Sequence, residues 1–233
     1  MSYRIPEDKK IDPEWIKSLY QRGFATKYFK SKKELQYIGM PVGGINTGTV
    51  YLGGDGRLWL WDIFNANQEG IEPMEKPPGD SNFSTLISRN GSAYVKPAQD
   101  IRPLEQGFAF KITWGGKTII KKMEAADWDD IAFEATYPMA KIRYMDKALP
   151  VEISAEVYSP FIALDEKNSG LPATIYTFSI KNKSTQPVTV TVLGWLENKV
   201  CLRTAKEGDN RVNKVVSSDN LIAVEASLNN ATD

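Results

Sequence analysis

Apolar and polar residues alternate with a period of two along most of the chain beyond Tyr37, which is the pattern of strands with one buried and one solvated face. The clearest run is 151–157, and further runs follow at 174–180, 188–192 and 221–226. No helical periods separate these runs, so a parallel βαβ arrangement is not indicated. The pattern predicts about a dozen antiparallel strands in an all-β, supersandwich-like β-sandwich.

Glycine-rich turns indicate two hairpins, because glycine adopts the positive φ angles of tight turns without steric cost. The turn 53–56 joins predicted strands 49–52 and 57–64, and the turn 115–117 joins 108–114 and 118–123. Prolines and a glycine at 77–79 mark an irregular connection near 66–82, the best candidate for a long surface loop.

The start of the chain carries the signals of one short helix. Asp12 suits the N-cap, Pro13 suits the first helical position, and Gly23 suits the position after the end. These signals predict a helix over 13–22. Its apolar residues share one stripe, so we expect it to pack against the rest of the protein; they are Trp15, Ile16, Leu19 and Tyr20. We assign 1–36 to an N-terminal arm with this helix and 37–233 to the sandwich.

Composition excludes several kinds of chemistry. The 233 residues include 29 basic and 29 acidic side chains and no histidine. A balanced charge argues against nucleic acid as a partner, because binding to phosphate backbones requires an excess of basic residues. Without histidine there is no imidazole general base, no serine-protease-type triad and no histidine metal site. Acid–base chemistry is left to carboxylates, lysines or tyrosines, and we expect no cofactor and no metal.

Cysteine usage and hydropathy add further limits. Cys201 is the sole cysteine, so an intrachain disulfide is excluded, and we expect it to be a small buried hydrophobic residue rather than a reactive thiol. No window approaches ~18 uninterrupted apolar residues, so we expect nothing that spans a membrane. The first thirty residues lack the apolar stretch of a secretory signal. The compartment stays open between the cytoplasm and export after loss of a signal.

Three segments carry candidate chemistry. Residues 39–48 hold four glycines, which could form an anion-binding nest, but the P-loop lysine is missing and we favour a tight turn or a close backbone contact. Trp59 and Trp61 fall on one face of a predicted strand and could form a sugar-stacking platform, although core packing is the commoner fate. Four carboxylates lie within 124–130, where a solvated turn is favoured over a calcium site.

Four ordered sequence blocks resemble the N-terminal region of glycoside hydrolase family 116, the bile-acid β-glucosidase or non-lysosomal glucosylceramidase family. The blocks are YIGMPVGGINTGTVYLGGDGRLWLWDIFN at 37–65, YPMAKIRYMD at 137–146, LPVEISAEVYSPFIALDEKNSGLPATIYTFSIKN at 149–182 and VTVLGWLENKV at 190–200. Asn46 stands where the resemblance leads us to expect a smaller residue. Asparagine tolerates left-handed backbone, so we expect the glycine loop to keep its turn.

The resemblance implies an enzyme of two parts, an N-terminal β-sandwich followed by a C-terminal (α/α)6 catalytic barrel of the same polypeptide. It places the catalytic glutamate nucleophile and aspartate acid/base of a retaining mechanism in that barrel. We expect the barrel to lie outside these 233 residues, so no catalytic residue is assigned to this chain and the chain alone is expected to be inactive. Retaining chemistry needs two carboxyl groups ~5–5.5 Å apart across the scissile bond.

We therefore expect a non-catalytic domain that supports the barrel of a β-glucosidase or glucosylceramidase acting on a β-glucoside or a glycolipid. Gly43, Gly44, Asn46, Trp59 and Trp61 are the hypothesised surface for barrel docking or sugar contact, because glycines permit close approach and tryptophans supply anchoring area. We expect the isolated domain to expose an apolar patch and to be prone to self-association. A carbohydrate-binding module and a purely structural sandwich remain the alternatives.

Overall fold

The computed structural model describes residues 10–21, 23–62, 104–202 and 204–229, and the loop expected near 66–82 lies outside them. Within the described residues the fold is all-β, with antiparallel sheets and two short α-helices. The strands are β1 (Thr26–Phe29), β2 (Gly39–Val42), β3 (Thr49–Gly53), β4 (Leu58–Asp62), β5 (Gln106–Trp114), β6 (Lys117–Lys122), β7 (Asp130–Thr136), β8 (Met139–Met145), β9 (Val151–Tyr158), β10 (Ile175–Asn182), β11 (Thr189–Leu196), β12 (Asn210–Ser218) and β13 (Leu221–Asn229). The helices are α1 (Pro13–Leu19) and α2 (Glu166–Ser169), and 3-10 turns lie at Leu35–Tyr37 and Ala125–Asp127.

Four antiparallel sheets make up the described part of the protein. The major sheet has five strands in the order β1-β7-β8-β9-β10. Two three-stranded sheets have the orders β11-β5-β6 and β2-β3-β4, and β12 pairs with β13 as a hairpin. Both glycine-turn hairpins expected from the sequence, β3-β4 and β5-β6, are confirmed by these pairings.

The core lies between the major sheet and the sheet that contains β5. Strand β9 shows this arrangement. Every second residue is buried, namely Val151, Ile153, Ala155 and Val157, and the residues between them are exposed or half-buried, so one face of the strand points into the core. Aromatic rings of β5 close the other side. The ring of Phe108 lies 5.0 Å from that of Tyr176 in β10, centroid to centroid. The predicted sandwich is confirmed in its class, and the predicted inward face of 151–157 is confirmed in β9.

The outer face of the major sheet is charged. Glu134 lies 3.5 Å from the ammonium of Lys27 and 3.8 Å from the guanidinium of Arg143. Lys141 lies 3.2 Å from Glu156 on the neighbouring strand. Such exposed pairs add little stability, but they keep this face solvated.

The β3-β4 turn reaches into the core through hydrogen bonds. The hydroxyl of Tyr144 donates to the carbonyl of Asp55 (2.9 Å), and that of Tyr176 donates to the carbonyl of Gly56 (3.1 Å). Burial, and secondarily the nearby charge of Asp55, raises the pKa of both tyrosines above the usual value. A side chain at Gly56 has no room, because its Cβ would lie 2.3 Å from the Tyr144 hydroxyl. The turn is therefore part of the core.

The N-terminal helix is shorter and less packed than its pattern predicts. Asp12 caps α1 as expected, accepting a hydrogen bond from the backbone of Glu14 at 2.8 Å. However, α1 ends at Leu19 rather than at residue 22. Trp15 and Tyr20 are exposed, so the expectation that the apolar stripe packs against the protein is wrong for these two residues. None of the described helices is long and apolar enough to cross a membrane.

Part of the N-terminal arm belongs to the major sheet. Strand β1, inside the segment 1–36, pairs antiparallel with β7 from Thr26 opposite Ala135 to Phe29 opposite Ala132. Asp130 accepts hydrogen bonds from the backbone and hydroxyl of Ser31, both at 2.9 Å. The arm beyond Thr26 is thus continuous with the sandwich.

Candidate functional site

Three connections meet at one end of the major sheet, which we call the loop end. They are the glycine loop 43–48 between β2 and β3, the turn 137–138 between β7 and β8, and the connection 159–174 between β9 and β10, which contains α2. The last two lie together because Tyr158 pairs with both Met139 and Ile175. Loops at one end of a sandwich are a common place for binding sites, since a rigid scaffold positions them.

The glycine loop adopts a backbone that few residues tolerate. The φ angles are 119° at Gly43, 95° at Gly44, 61° at Asn46 and 96° at Gly48, all in the left-handed range. A Cβ at Gly44 would lie 2.3 Å from the carbonyl oxygen of Leu171. The close backbone contact expected from the glycine density is therefore present, and Asn46 takes the left-handed turn position as expected.

Buried serines tie the glycine loop to the β9-β10 connection. The backbone amide of Gly43 donates to the hydroxyl of Ser159, which in turn donates to the carbonyl of Ala173 at 2.7 Å. The amide of Ile45 donates to the carbonyl of Ser169 at 2.8 Å. Both serine side chains are buried. The loop is held from two sides, and its shape is built into the fold.

A cleft of about 320 Å³ opens beside this loop. Its lining includes Gly44, Asn46, Tyr137, Ser159 and Phe161. The rings of Tyr137 and Phe161 form an edge-to-face pair with centroids 5.7 Å apart and planes at 61°, yet they are 60% and 48% exposed. No acidic or basic side chain lines the cleft among the described residues, so the cleft presents aromatic faces and neutral polar groups.

The segments beside the cleft expose both apolar and charged residues. Four large apolar side chains of the glycine loop and the β9-β10 connection are exposed, namely Ile45, Ile162, Leu164 and Leu171. In the same connection, Glu166 and Lys167 of α2 are exposed.

A second apolar surface lies on the β12-β13 hairpin. Val215, Ile222 and Val224 project from one face, since Val215 pairs with Val224 and Ile222 lies two residues before it, and each is more than half exposed. We call these three residues the hairpin face. The amide of Asn198 holds both strands by donating to the carbonyls of Val212 (3.1 Å) and Ser227 (3.0 Å). A two-stranded hairpin is marginally stable without a covering surface.

The structure describes only part of the surface that the sequence analysis singled out. Gly43, Gly44 and Asn46 lie in the glycine loop at the cleft. Trp59 and Trp61 belong to β4, but their side chains lie outside the described part of the structure, and the platform stays a prediction. Sequence reasoning missed the aromatic pair at the cleft. Its two members, Tyr137 and Phe161, lie in connections between strands. Connections have no regular alternation of buried and exposed positions, so the sequence does not distinguish a ring that lines a cleft from any other ring.

The carboxylates of 124–130 hydrogen-bond to separate segments. Asp127 accepts from the amide of Lys122 at 2.6 Å, and Asp129 accepts from the amide of Lys147 at 3.0 Å. No group of three or more metal-ligating side chains occurs among the described residues. Cys201 is exposed, so the expectation that it is buried is wrong.

The comparison with known families agrees with the architecture just described. No curated protein matches the chain. The model of the family described as "beta-glucosidase 2, glycosyl-hydrolase family 116 N-term" matches residues 39–232, from β2 to beyond β13. This match covers well over half of the 233 residues and includes the glycine loop, the cleft and the hairpin. The chain therefore belongs to the family of N-terminal domains of glycosyl-hydrolase family 116.

Proposed function

We propose that the chain is the non-catalytic sandwich domain of a retaining β-glucosidase and that it supports a companion catalytic domain, an (α/α)6 barrel. The family match over 39–232 carries the proposal, because it assigns the chain to the N-terminal part of a glycoside hydrolase. The substrate of the whole enzyme is then a β-glucoside, and a glycolipid of the glucosylceramide type is the finer proposal. Gly43, Gly44, Asn46, Trp59 and Trp61 remain part of the proposed contact surface with the barrel or with sugar.

The lining of the cleft supports a non-catalytic role. Retaining hydrolysis needs a nucleophile and an acid/base, two carboxyl groups ~5–5.5 Å apart. Among the described residues that line the cleft none carries a carboxyl group. The buried Asp55 is engaged with Arg57 at 2.7 Å and lies in a core turn. The catalytic carboxylates would therefore come from the companion domain.

Two sets of exposed apolar side chains support docking of that domain, those of the hairpin face and those beside the cleft. The hairpin face exposes three β-branched residues that water solvates poorly. The glycine loop and the β9-β10 connection add the exposed side chains of Ile45, Ile162, Leu164 and Leu171. In the isolated chain these surfaces would meet each other in a second copy, which explains why we expect self-association.

An activity assay tests the non-catalytic role. The purified 233-residue chain is incubated with 4-nitrophenyl β-glucoside, and release of nitrophenol is followed by absorbance. We expect no turnover above the rate without protein. Turnover that co-elutes with the chain through two different columns would contradict the proposal, because it would place a complete catalytic pair within this domain.

Sedimentation velocity tests the docking surface. We expect the chain to self-associate at micromolar concentrations and the variant Val215→Lys/Ile222→Lys to sediment as a monomer, since a charge at the centre of an apolar contact is costly to bury. The matched control is Thr177→Lys, which places the same charge on the outer face of the major sheet, opposite Glu156. If the control and the hairpin variant sediment alike, the hairpin face does not carry the association.

A further inference from the structure

We infer that the cleft at the loop end binds the ring of a neutral glycoside, with Tyr137 and Phe161 as stacking faces and Asn46 as the polar contact. The inference rests on the proposed function for the choice of sugar, a β-glucoside. The site itself is argued from its lining. It narrows the surface proposed above, for contact with the barrel or with sugar, to one ligand-binding cleft.

The charge of the lining selects the class of ligand. Neither acidic nor basic side chains line the cleft among the described residues, so an ionic ligand would find no counter-charge there. The polar side chains among the lining residues are neutral, namely those of Asn46, Tyr137 and Ser159. The Ser159 hydroxyl is already hydrogen-bonded, whereas within the described part of the structure neither the Asn46 carboxamide nor the Tyr137 hydroxyl is used in a hydrogen bond to protein. They are free to pair with ligand hydroxyl groups, which both donate and accept.

The aromatic pair suits the shape of a pyranose. A β-glucoside has apolar C–H bonds on its ring faces and hydroxyl groups around its edge, so it pairs with an aromatic face and a polar rim. Tyr137 and Phe161 stand edge to face and keep about half of their surfaces in solvent. They thereby offer two faces at an angle rather than a single plane. The cleft volume of about 320 Å³ lies at the lower end of the range for small-molecule sites.

The site is preformed, which favours binding by a small neutral ligand. Asn46 has a left-handed φ of 61°, and the residue before it, Ile45, is held by the hydrogen bond from its amide to the carbonyl of Ser169. Ser159 joins the loop to the β9-β10 connection through two hydrogen bonds. Phe161 follows Ser159 by two residues, so the same anchor positions one of the stacking rings. A ligand therefore orders little of the protein when it binds.

Ligand-observed NMR on the 233-residue chain tests the inference, with methyl β-glucoside as the probe. We expect saturation transfer to the probe, strongest at the axial protons of one ring face, with a dissociation constant on the order of 1 mM because the ligand is small. Glycerol, a polyol without a ring, is expected to give no transfer.

Substitutions locate the site. Tyr137→Ala and Phe161→Ala are each expected to weaken binding by roughly fivefold to tenfold. Asn46→Gly removes the amide, keeps the left-handed backbone, and is expected to weaken binding by about threefold. The matched control is Phe24→Ala, which removes an exposed ring that does not line the cleft. Thermal unfolding within about 2 °C of the parent chain will show that each variant is folded.

Absence of transfer at sugar concentrations on the order of 10 mM, or an equal loss in Phe24→Ala and Phe161→Ala, would overturn the inference. Either result leaves the proposed function in place, since that is tested by turnover and not by binding. Conversely, turnover of an aryl glucoside by the chain would overturn the proposed function whether or not the cleft binds sugar.

Discussion

Removing the carboxylate of Asp55 should be among the most damaging single changes in the domain. Asp55 is 3% exposed, and its carboxylate lies 2.7 Å from Nε of Arg57, whose side chain is 16% exposed. It also accepts hydrogen bonds from the backbone amides of Arg57 and Ala125, both at 3.2 Å. Three donors converge on this one group inside the β3-β4 turn.

The expected cost follows from what Asp55→Ala leaves behind. The guanidinium of Arg57 would stay largely buried without a counter-charge, which typically costs about 3–5 kcal/mol. For a chain of this size each kcal/mol lowers the melting temperature by about 2–4 °C, so the expected shift is about 6–20 °C. The double substitution Asp55→Ala/Arg57→Met should recover much of this loss, because it removes the unpaired charge as well.

Differential scanning calorimetry or thermal denaturation followed by circular dichroism measures the shift. The matched control is Glu156→Ala, which breaks the exposed pair with Lys141 at 3.2 Å and should cost less than about 1 kcal/mol. If Asp55→Ala melts within the range of Glu156→Ala, then the carboxylate does not compensate a buried charge. The reasoning about the turn would then be refuted.

Three further predictions concern the glycine loop, acid stability and the thiol. Gly44→Ala should destabilise by at least about 1 kcal/mol more than Gly116→Ala in urea unfolding, since both φ angles are positive but only at Gly44 would Cβ meet a carbonyl, that of Leu171; equal costs would disprove the close contact. Burial works to raise the pKa of Asp146, but hydrogen bonds from Lys121 and the backbone of Ala148 outweigh it and lower the pKa. Its stabilisation should therefore be complete above pH about 4 and be lost as the pH falls further, and unfolding of Asp146→Asn between about pH 2 and 6 should show a flatter acid limb than the parent. Cys201 should react with Ellman's reagent in the folded chain, and a thiol titrated only after denaturation would contradict its exposure.

The strands that bury one face could be predicted from the sequence, because alternation of apolar and polar residues is a direct trace of the core. Strand β9 is the clearest case, with four inward residues and a wet face between them. Strand β12 was missed for the opposite reason. Every residue of Asn210–Ser218 is exposed, so its sequence shows no alternation of apolar and polar residues that burial would require. It is a strand because it pairs with β13.

The site was predictable only in its backbone. Glycine density and the asparagine at position 46 indicated a left-handed loop with a close backbone contact, because few other residues adopt such angles. The aromatic pair could not be found in this way. Tyr137 and Phe161 are 24 residues apart. They meet because the β7-β8 turn and the β9-β10 connection both lie at the loop end of the major sheet. The prediction that the apolar stripe of α1 packs against the protein was wrong for Trp15 and Tyr20 for a related reason. Periodicity shows which face of a helix is apolar but not whether another surface covers that face.

If the proposed catalytic domain docks on the sandwich, the distribution of charge favours the loop end over the outer face of the major sheet as the contact surface. The outer face of the major sheet carries Lys27, Glu134 and Arg143 in alternating sign, and desolvating them on contact would cost more than their pairing returns. The lining of the cleft has no such cost among the described residues, because none of its side chains is charged. A partner that bound the major sheet would have to remove water from these charged side chains. A partner that bound the loop end would instead cover apolar surface, which water solvates poorly. Association at the loop end would also bring the cleft beside the partner's own surface, where a glycoside held between the two could contact both domains.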